Sequence, residues 1–194
     1  MKFIMKKNRY LIPAFMLFFL IGCAGRSSTE SFLRTEVDLG YIEKVAVLPF
    51  ENYSTEPLSA QRSRELVITQ VLASGMFDII DKGYVDSVLR TEAISAGVPI
   101  DPLTLRRLGE RLGAQGFILG SVDYAGMGQA GNAAYPELSL TLRLVDSESG
   151  FVIWQASGRG SGYSVWERLF GVSPKDEFQV TLKLIRRLLA TMRK

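Results

Sequence analysis

The sequence predicts one domain of the α/β (α+β) class: a mixed sheet of about five strands with helices packed on it, a C-terminal antiparallel meander and a closing helix. Three observations support this fold. Residues 45–48 form a short apolar run typical of a buried central strand, and residues 137–146 alternate between apolar and polar side chains. Apolar residues between the predicted strands recur at helical spacing. The predicted order is β, α, β, α, α, β, β, β, α.

The first half of the domain predicts a β-α-β unit followed by a further helix. Its elements are strand 44–50, helix 58–74, strand 77–80, helix 84–96 and helix 102–112. Gly75 and Gly113 are suited to end the first and third helices. Asp101 is a suitable N-cap for the third helix, and Pro102 fits its first position.

The second half predicts the meander and the closing helix. Its elements are strand 116–124, strand 137–146, the turn 146–150, strand 151–157 and helix 174–193. Leucines occupy every second position from Leu138 to Leu144, which predicts one buried face and one wet face. Trp154, in the last strand, is expected in the core.

The N-terminus has the organisation of a secretory signal. Four basic residues lie before position 10 without an acidic one, the apolar segment 11–21 follows, and Gly22 precedes Cys23. The apolar segment is shorter than the ~20 residues of a spanning helix. An uncleaved membrane anchor is the alternative. We expect residues 1–22 to be a signal peptide cleaved between Gly22 and Cys23.

The tetrapeptide Leu20-Ile21-Gly22-Cys23 resembles the bacterial lipobox. That resemblance implies lipidation of Cys23, with palmitate-type acyl chains that hold the protein to a membrane. In enteric-type sorting, Asp after the lipidated cysteine favours the inner membrane. With Ala24 at that position, the sequence resembles lipoproteins that go to the outer membrane by default. Residues 23–40 are polar and predict a lipidated N-terminus and short tether, with a maximal reach of roughly 55 Å, and residues 41–194 form the domain.

Composition excludes several classes of site. The chain has 23 basic and 20 acidic residues, and the signal carries four of the basic ones. The mature chain therefore has 19 basic and 20 acidic residues. It has no excess positive charge that would attract nucleic acid. Without histidine there is no His-based triad or metal site. Cys23 is the only cysteine, so no intrachain disulfide forms.

Two glycine-rich strings superficially resemble phosphate-binding loops. Residues 126–131 spell GxGxxG, but a strand rather than a helix is predicted to follow, so we interpret them as a mobile hairpin loop. Residues 158–162 lack the Lys-Ser/Thr ending of a P-loop and are interpreted as a flexible spacer. No nucleotide, cofactor or metal is expected, and no set of catalytic residues is visible, so the protein is not expected to be an enzyme.

Large apolar side chains cluster between the second glycine string and the closing helix. Tyr163, Trp166 and Phe170 could pack in the core or form a partner-binding surface, and the sequence leaves both open.

Three segments resemble one family. The strings VAVLPFEN (45–52), LGAQGFILGSVDY (112–124) and LSLTLRLVDSESGFVIWQASG (138–158) are similar to the CsgG/LpoB group of bacterial lipoproteins, with a fold similar to the N-terminal domain of TolB. The resemblance implies binding rather than catalysis. LpoB-type proteins activate a peptidoglycan synthase from the outer membrane, and CsgG-type proteins form secretion channels there.

The expected function is that of an outer-membrane-anchored periplasmic lipoprotein and protein-interaction module of the cell envelope. It would either activate a peptidoglycan synthase or help assemble a surface apparatus. The alternative is a subunit of a CsgG-like outer-membrane secretion channel. Self-association into a homo-oligomer stays open, and the envelope protein partner is not identified by the sequence.

Replacing Cys23 with alanine should abolish acylation and block signal processing, because the thiol is the predicted lipid site. Metabolic labelling with an alkyne palmitate, followed by gel migration, measures both. Ser27→Ala, four residues along the predicted tether, is the matched control and should be acylated normally. Palmitate uptake by the Cys23→Ala variant would disprove the assignment.

Overall fold

The computed structural model describes residues 29–35, 37–95, 97–163 and 173–192. They form one mixed sheet with helices packed on it, as the sequence predicts. The strands are β1 (Thr29–Leu33), β2 (Lys44–Val47), β3 (Glu51–Asn52), β4 (Asp78–Ile79), β5 (Gly116–Ala130), β6 (Ala133–Asp146) and β7 (Val152–Ser161). The α-helices are α1 (Ser59–Ser74), α2 (Lys82–Thr91), α3 (Pro102–Leu112) and α4 (Glu177–Ala190), and a 3-10 turn covers Leu39–Tyr41.

The sheet has a parallel half and an antiparallel half. Its strand order is β1-β7-β6-β5-β2-β4, with β3 paired to β5 beyond the end of β2. Strand β2 is parallel to both β4 and β5, whereas β5, β6, β7 and β1 are successively antiparallel. The predicted β-α-β unit and meander therefore lie side by side and share β5.

One face of the sheet is closed by α1 and α4 along much of its length. The even-numbered leucines of β6 lie on this face, and Leu140, Leu142 and Leu144 are fully buried. They pack in one cluster with side chains of α4, such as Leu184, and with Val67 of α1. Trp154 also lies in this core, fully buried, and its indole N–H donates to Thr191 Oγ1 at 3.0 Å. The predicted core positions are confirmed.

The opposite face is covered only in the parallel half. Helices α2 and α3 pack there on β2 and on the start of β5, around Ala46, Leu48 and Phe117. Helix α3 has the predicted caps: Asp101 accepts from the backbone of residues 103 and 104, Pro102 is its first residue, and Gly113 adopts φ +67° at its end. This cluster also takes in Val145 of β6 and Val152 of β7; beyond them, among the described residues, no helix covers this face of β6, β7 and β1.

Helix α4 packs unusually close to β7 because that strand carries glycine where the helix crosses it. A Cβ on Gly160 would lie 3.0 Å from a methyl of Val180, and one on Gly158 would lie 3.1 Å from a methyl of Leu188. The stretch 158–162 was predicted to be a flexible spacer. That prediction is wrong, because β7 continues through it to Ser161.

Strands β5 and β6 continue past the rest of the sheet as a two-stranded hairpin, here called the arm (residues 126–136). The last pair of β6 with β7 is Glu137 with Ser161, whereas β5 and β6 remain paired as far as Ala130 with Ala133. The GxGxxG string lies in this arm. It is strand and tight turn rather than the predicted mobile loop.

Each glycine of that string has a local structural role. Gly131 adopts φ +60° at the turn, a conformation that favours glycine. A Cβ on Gly128 would lie 2.5 Å from the ring of Tyr135, and one on Gly126 would lie 3.0 Å from the hydroxyl of Tyr124. The glycines therefore make room for two tyrosine rings, and in the described structure a strand follows them.

The structure adds two strands to the predicted five, and one of them lies within the predicted tether. Residues 29–33, predicted to be part of the tether, form β1 and pair with β7 from Thr29–Gly158 to Leu33–Trp154. Most β1 side chains are exposed, so the segment lacks the alternation that marks a strand in sequence. The other added strand is β3, only two residues long. Residues 29–33, within the predicted tether, are therefore part of the sheet.

Leu142→Ala should lower the free energy of unfolding by about 2–5 kcal/mol, because it leaves a cavity at a fully buried position. Ser139→Ala is the matched control on the same strand, since its side chain lies on the other face, half-buried. Its effect should be about 1 kcal/mol or less. Urea denaturation followed by tryptophan fluorescence measures both. Equal effects of the two variants would contradict the assignment of faces.

Candidate functional site

The uncovered side of the antiparallel half is the main candidate interface, and we call it the open face. It comprises the outward side chains of β5, β6, β7 and β1, with Glu51 of β3 and Tyr53 beside them. Its residues are Glu30, Phe32, Glu51, Tyr53, Ser121, Asp123, Tyr124, Glu137, Ser139, Thr141, Arg143, Gln155, Ser157 and Arg159.

Hydrogen bonds across three strands fix the centre of the open face. A bulge in β5 at Asp123 turns its carboxylate onto this side, where Ser121 Oγ donates to one oxygen at 2.7 Å. Thr141 Oγ1 donates to the other at 2.8 Å, and Thr141 and Ser157 hydroxyls lie 2.9 Å apart. This chain, called the hydroxyl network, links β5, β6 and β7. Side chains held in this way lose little further freedom when a partner binds.

Tyrosine and arginine side chains flank the hydroxyl network. The guanidinium of Arg159 lies 5.5 Å from the ring centroid of Tyr124 and pairs with Glu137 at 2.5 Å. Tyr124 is 42% exposed and Tyr53 is 68% exposed. These two residue types dominate the energetically important positions of protein interfaces, which supports a protein partner for this face.

Arg143 differs from Arg159 in having no carboxylate in salt-bridge contact among the described residues. It is half-buried beside Thr141 on β6. Its charge acts on nearby Tyr53, whose pKa is nevertheless raised, chiefly by a hydrogen bond from its hydroxyl to Glu51. Tyr53 therefore stays neutral at physiological pH, and Arg143 offers a positive charge to an incoming group.

An apolar groove lies on the other side of the sheet, between the base of the arm and the start of α4. It encloses about 450 Å³ and is lined by Ala125, Met127, Pro136, Leu138 and Val180. Charged residues at the start of α4 form its rim. In the described part of the chain no cluster of three or more acidic or other ligating side chains could hold a metal ion. Nor is any described helix long and apolar enough to cross a membrane.

The residues singled out in the sequence fall in different places. Tyr163 lies at the end of β7, half-buried, with its ring centroid 5.7 Å from that of Tyr135 in the arm. Trp166 and Phe170, like Gly22 and Cys23, lie outside the described residues. The partner-binding role of the three aromatic residues stays a prediction.

The open face itself was not predicted as a site. The alternation of residues 137–146 indicated a wet face, but Tyr53, Tyr124 and Arg159 come from other strands and meet there only through the sheet register.

Solved structures of similar fold come from bacteria. The PelC dodecamer from Paraburkholderia phytofirmans matches at 18% identity with a TM-score of 0.59, covering 86% of this chain and 99% of that one. A single-substitution variant of that dodecamer gives a TM-score of 0.60. Lipoprotein GNA1162 from Neisseria meningitidis matches at 14% identity and a TM-score of 0.56, covering 77% of this chain and 97% of that one. At these identities the likeness establishes the fold.

Among proteins of curated function, none matches the sequence. The family model described as "Peptidoglycan-synthase activator LpoB" matches residues 28–159, from the start of β1 almost to the end of β7. This match supports the LpoB part of the predicted resemblance and gives no support to its CsgG part or to a TolB-like fold. Because the model covers more than half of the chain, this protein belongs to the LpoB family of peptidoglycan-synthase activators.

Proposed function

We propose that this protein is an outer-membrane-anchored periplasmic lipoprotein that binds a peptidoglycan synthase through its open face and activates it. The family match over residues 28–159 carries the proposal. Cys23 would bear the lipid, and the domain would lie in the periplasm.

The open face has the size and chemistry of a protein-binding surface. Three strands about nine residues long and the five residues of β1, spaced about 4.8 Å apart, present roughly 500 Å². A stable interface buries about 800 Å² on each partner, so the face supplies most of one. The hydroxyl network at its centre offers fixed hydrogen-bonding groups, and Tyr53, Tyr124 and Arg143 supply large side chains around it.

The position of β1 constrains where the partner can be met. Cys23 and Thr29 are six residues apart in sequence, so the chain between them spans at most about 20 Å. That is well under half of the reach expected when residues 24–40 were taken as the tether. A synthase anchored in the inner membrane would have to extend across the periplasm to be reached, whereas a partner at the outer membrane would not.

Arg143→Glu should weaken binding by about 2 kcal/mol or more, roughly thirtyfold, because it places a carboxylate where a positive charge meets the partner. In cells, a photo-crosslinking amino acid at Ser157 should capture a peptidoglycan synthase, and Arg143→Glu should remove that product. Lys183→Glu, on the exposed side of α4, is the matched control and should retain it. Crosslinker at exposed Leu72 on α1 tests the opposite side of the sheet.

Equal capture of the synthase from Ser157 and Leu72 would contradict the open face as the binding site. Capture of outer-membrane proteins alone would contradict synthase activation and favour the second candidate.

The second candidate is assembly of a surface apparatus at the outer membrane, and the short span between Cys23 and β1 favours it. Inserting about 30 Gly/Ser residues after Gly25 should then leave function intact, since effective concentration falls slowly with linker length. Light scattering of residues 24–194 should show a discrete homo-oligomer if copies of the chain form the apparatus. If the protein is a monomer and its function improves with the longer tether, the result would instead support activation of a synthase in the inner membrane.

A further inference from the structure

The N-terminal end of β1 and the arm lie at the same end of the sheet. Strand β7 runs toward the arm, because its last residue, Ser161, pairs with Glu137 at the base of the arm. Strand β1 is antiparallel to β7, so its first residue, Thr29, lies toward that end, opposite Gly158. The chain therefore enters β1 from the end of the sheet to which the arm points.

The tip of the arm lies farther from the level of Thr29 than the span that precedes β1 can reach. Gly158 pairs with Leu140 on β6, and from Leu140 to the turn residue Asn132 there are eight residues, or about 26 Å of strand. The six residue steps from Thr29 back to Cys23 reach about 20 Å when fully extended and about 13 Å on average for a flexible chain. Strand twist shortens the projection of the arm, but its tip still lies at least as far out as the average position of Cys23.

The composition of the arm suits the polar–apolar boundary of a bilayer. Residues 126–136 contain no charged side chain. Met127 near its base is 64% exposed, whereas Tyr135 on its second strand is buried against Gly128 and Tyr163. Charged groups are costly near the hydrocarbon region, so an uncharged hairpin tip with an exposed methionine suits that environment. At the opposite end of the sheet the turn 146–150 carries Asp146 and the exposed Glu148.

We propose that the tip of the arm lies in the headgroup region of the bilayer that holds the lipid on Cys23. This inference rests on the proposed lipidation, because the anchor defines where the membrane is. The contact follows from length: when the arm points at the bilayer, a tether shorter than the distance from Thr29 to the tip of the arm cannot place the membrane beyond that tip. The strands then run roughly perpendicular to the bilayer, with the arm end nearest to it. The open face is exposed to the periplasm, roughly at right angles to the membrane surface.

The composition of the chain allows a direct test that does not need acylation. The sequence has no histidine and one cysteine. In the test protein, six histidines replace residues 1–23 and bind vesicles of phosphatidylethanolamine and phosphatidylglycerol that contain a nickel-chelating lipid. A single cysteine at Asn132, in the arm turn, carries the environment-sensitive dye NBD. A matched protein carries NBD at Glu148, exposed at the opposite end of the sheet.

The dye at position 132 should shift its emission to shorter wavelength on vesicle binding and lose intensity to lipids bearing a doxyl quencher near the headgroup. The dye at position 148 should do neither. Adding Ala134→Glu to the position-132 protein should reduce both responses, while circular dichroism and the melting temperature confirm that the fold is kept.

Identical responses at positions 132 and 148 would overturn the proposal, and so would an emission shift at 132 without quenching by the lipid. A shift that depends on protein concentration and occurs without vesicles would identify a second copy as the partner of the arm instead. Loss of palmitate labelling at Cys23 in cells would overturn the lipoprotein assignment, but it would not alter the response of the histidine-tethered protein. The two failures can therefore be told apart.

Discussion

The period-two alternation of β6 is the constraint on which the rest of the structure depends. Even-numbered leucines from Leu138 to Leu144 face α1 and α4, which obliges Ser139, Thr141 and Arg143 to face the other way. A helix on that second side would bury a guanidinium and several hydroxyls, each costing about 1–3 kcal/mol if left unpaired. The same alternation that builds the core thus leaves the open face free of helices in the described structure.

The close approach of α4 completes this division. With Gly158 and Gly160 on β7 the helix backbone comes near the sheet, so the leucines of β6 and the helix fill the space without larger side chains on β7. On the other side, the bulge at Asp123 brings a carboxylate onto the open face, where two hydroxyls satisfy it. One face is therefore fixed by packing and the other by hydrogen bonds.

Elements that bury apolar side chains could be predicted from sequence, and those that do not could not. Asp101, Pro102 and Gly113 indicate the ends of helix α3, and the alternating leucines of β6 indicate its two faces. Strand β1 is an exposed edge strand that exists through its backbone pairing with β7, which leaves no periodic trace. The arm was mistaken for a loop because glycine disfavours strands, and the tyrosine rings that cover Gly126 and Gly128 are identified only in three dimensions.

The open face could not be predicted for a different reason: its residues are brought together by the register between strands. Tyr53 reaches it through the pairing of β3 with β5, and Arg159 reaches Tyr124 across β6. No spacing along the chain links these residues. If Cys23 carries the lipid, the short span before β1 gives this face a biological geometry as well. A domain on a long tether would sample all orientations, whereas one whose tether is shorter than the distance from Thr29 to the tip of its arm keeps one end toward the bilayer. Its open face then stays at a nearly constant height, which favours a partner that presents its own surface at that height.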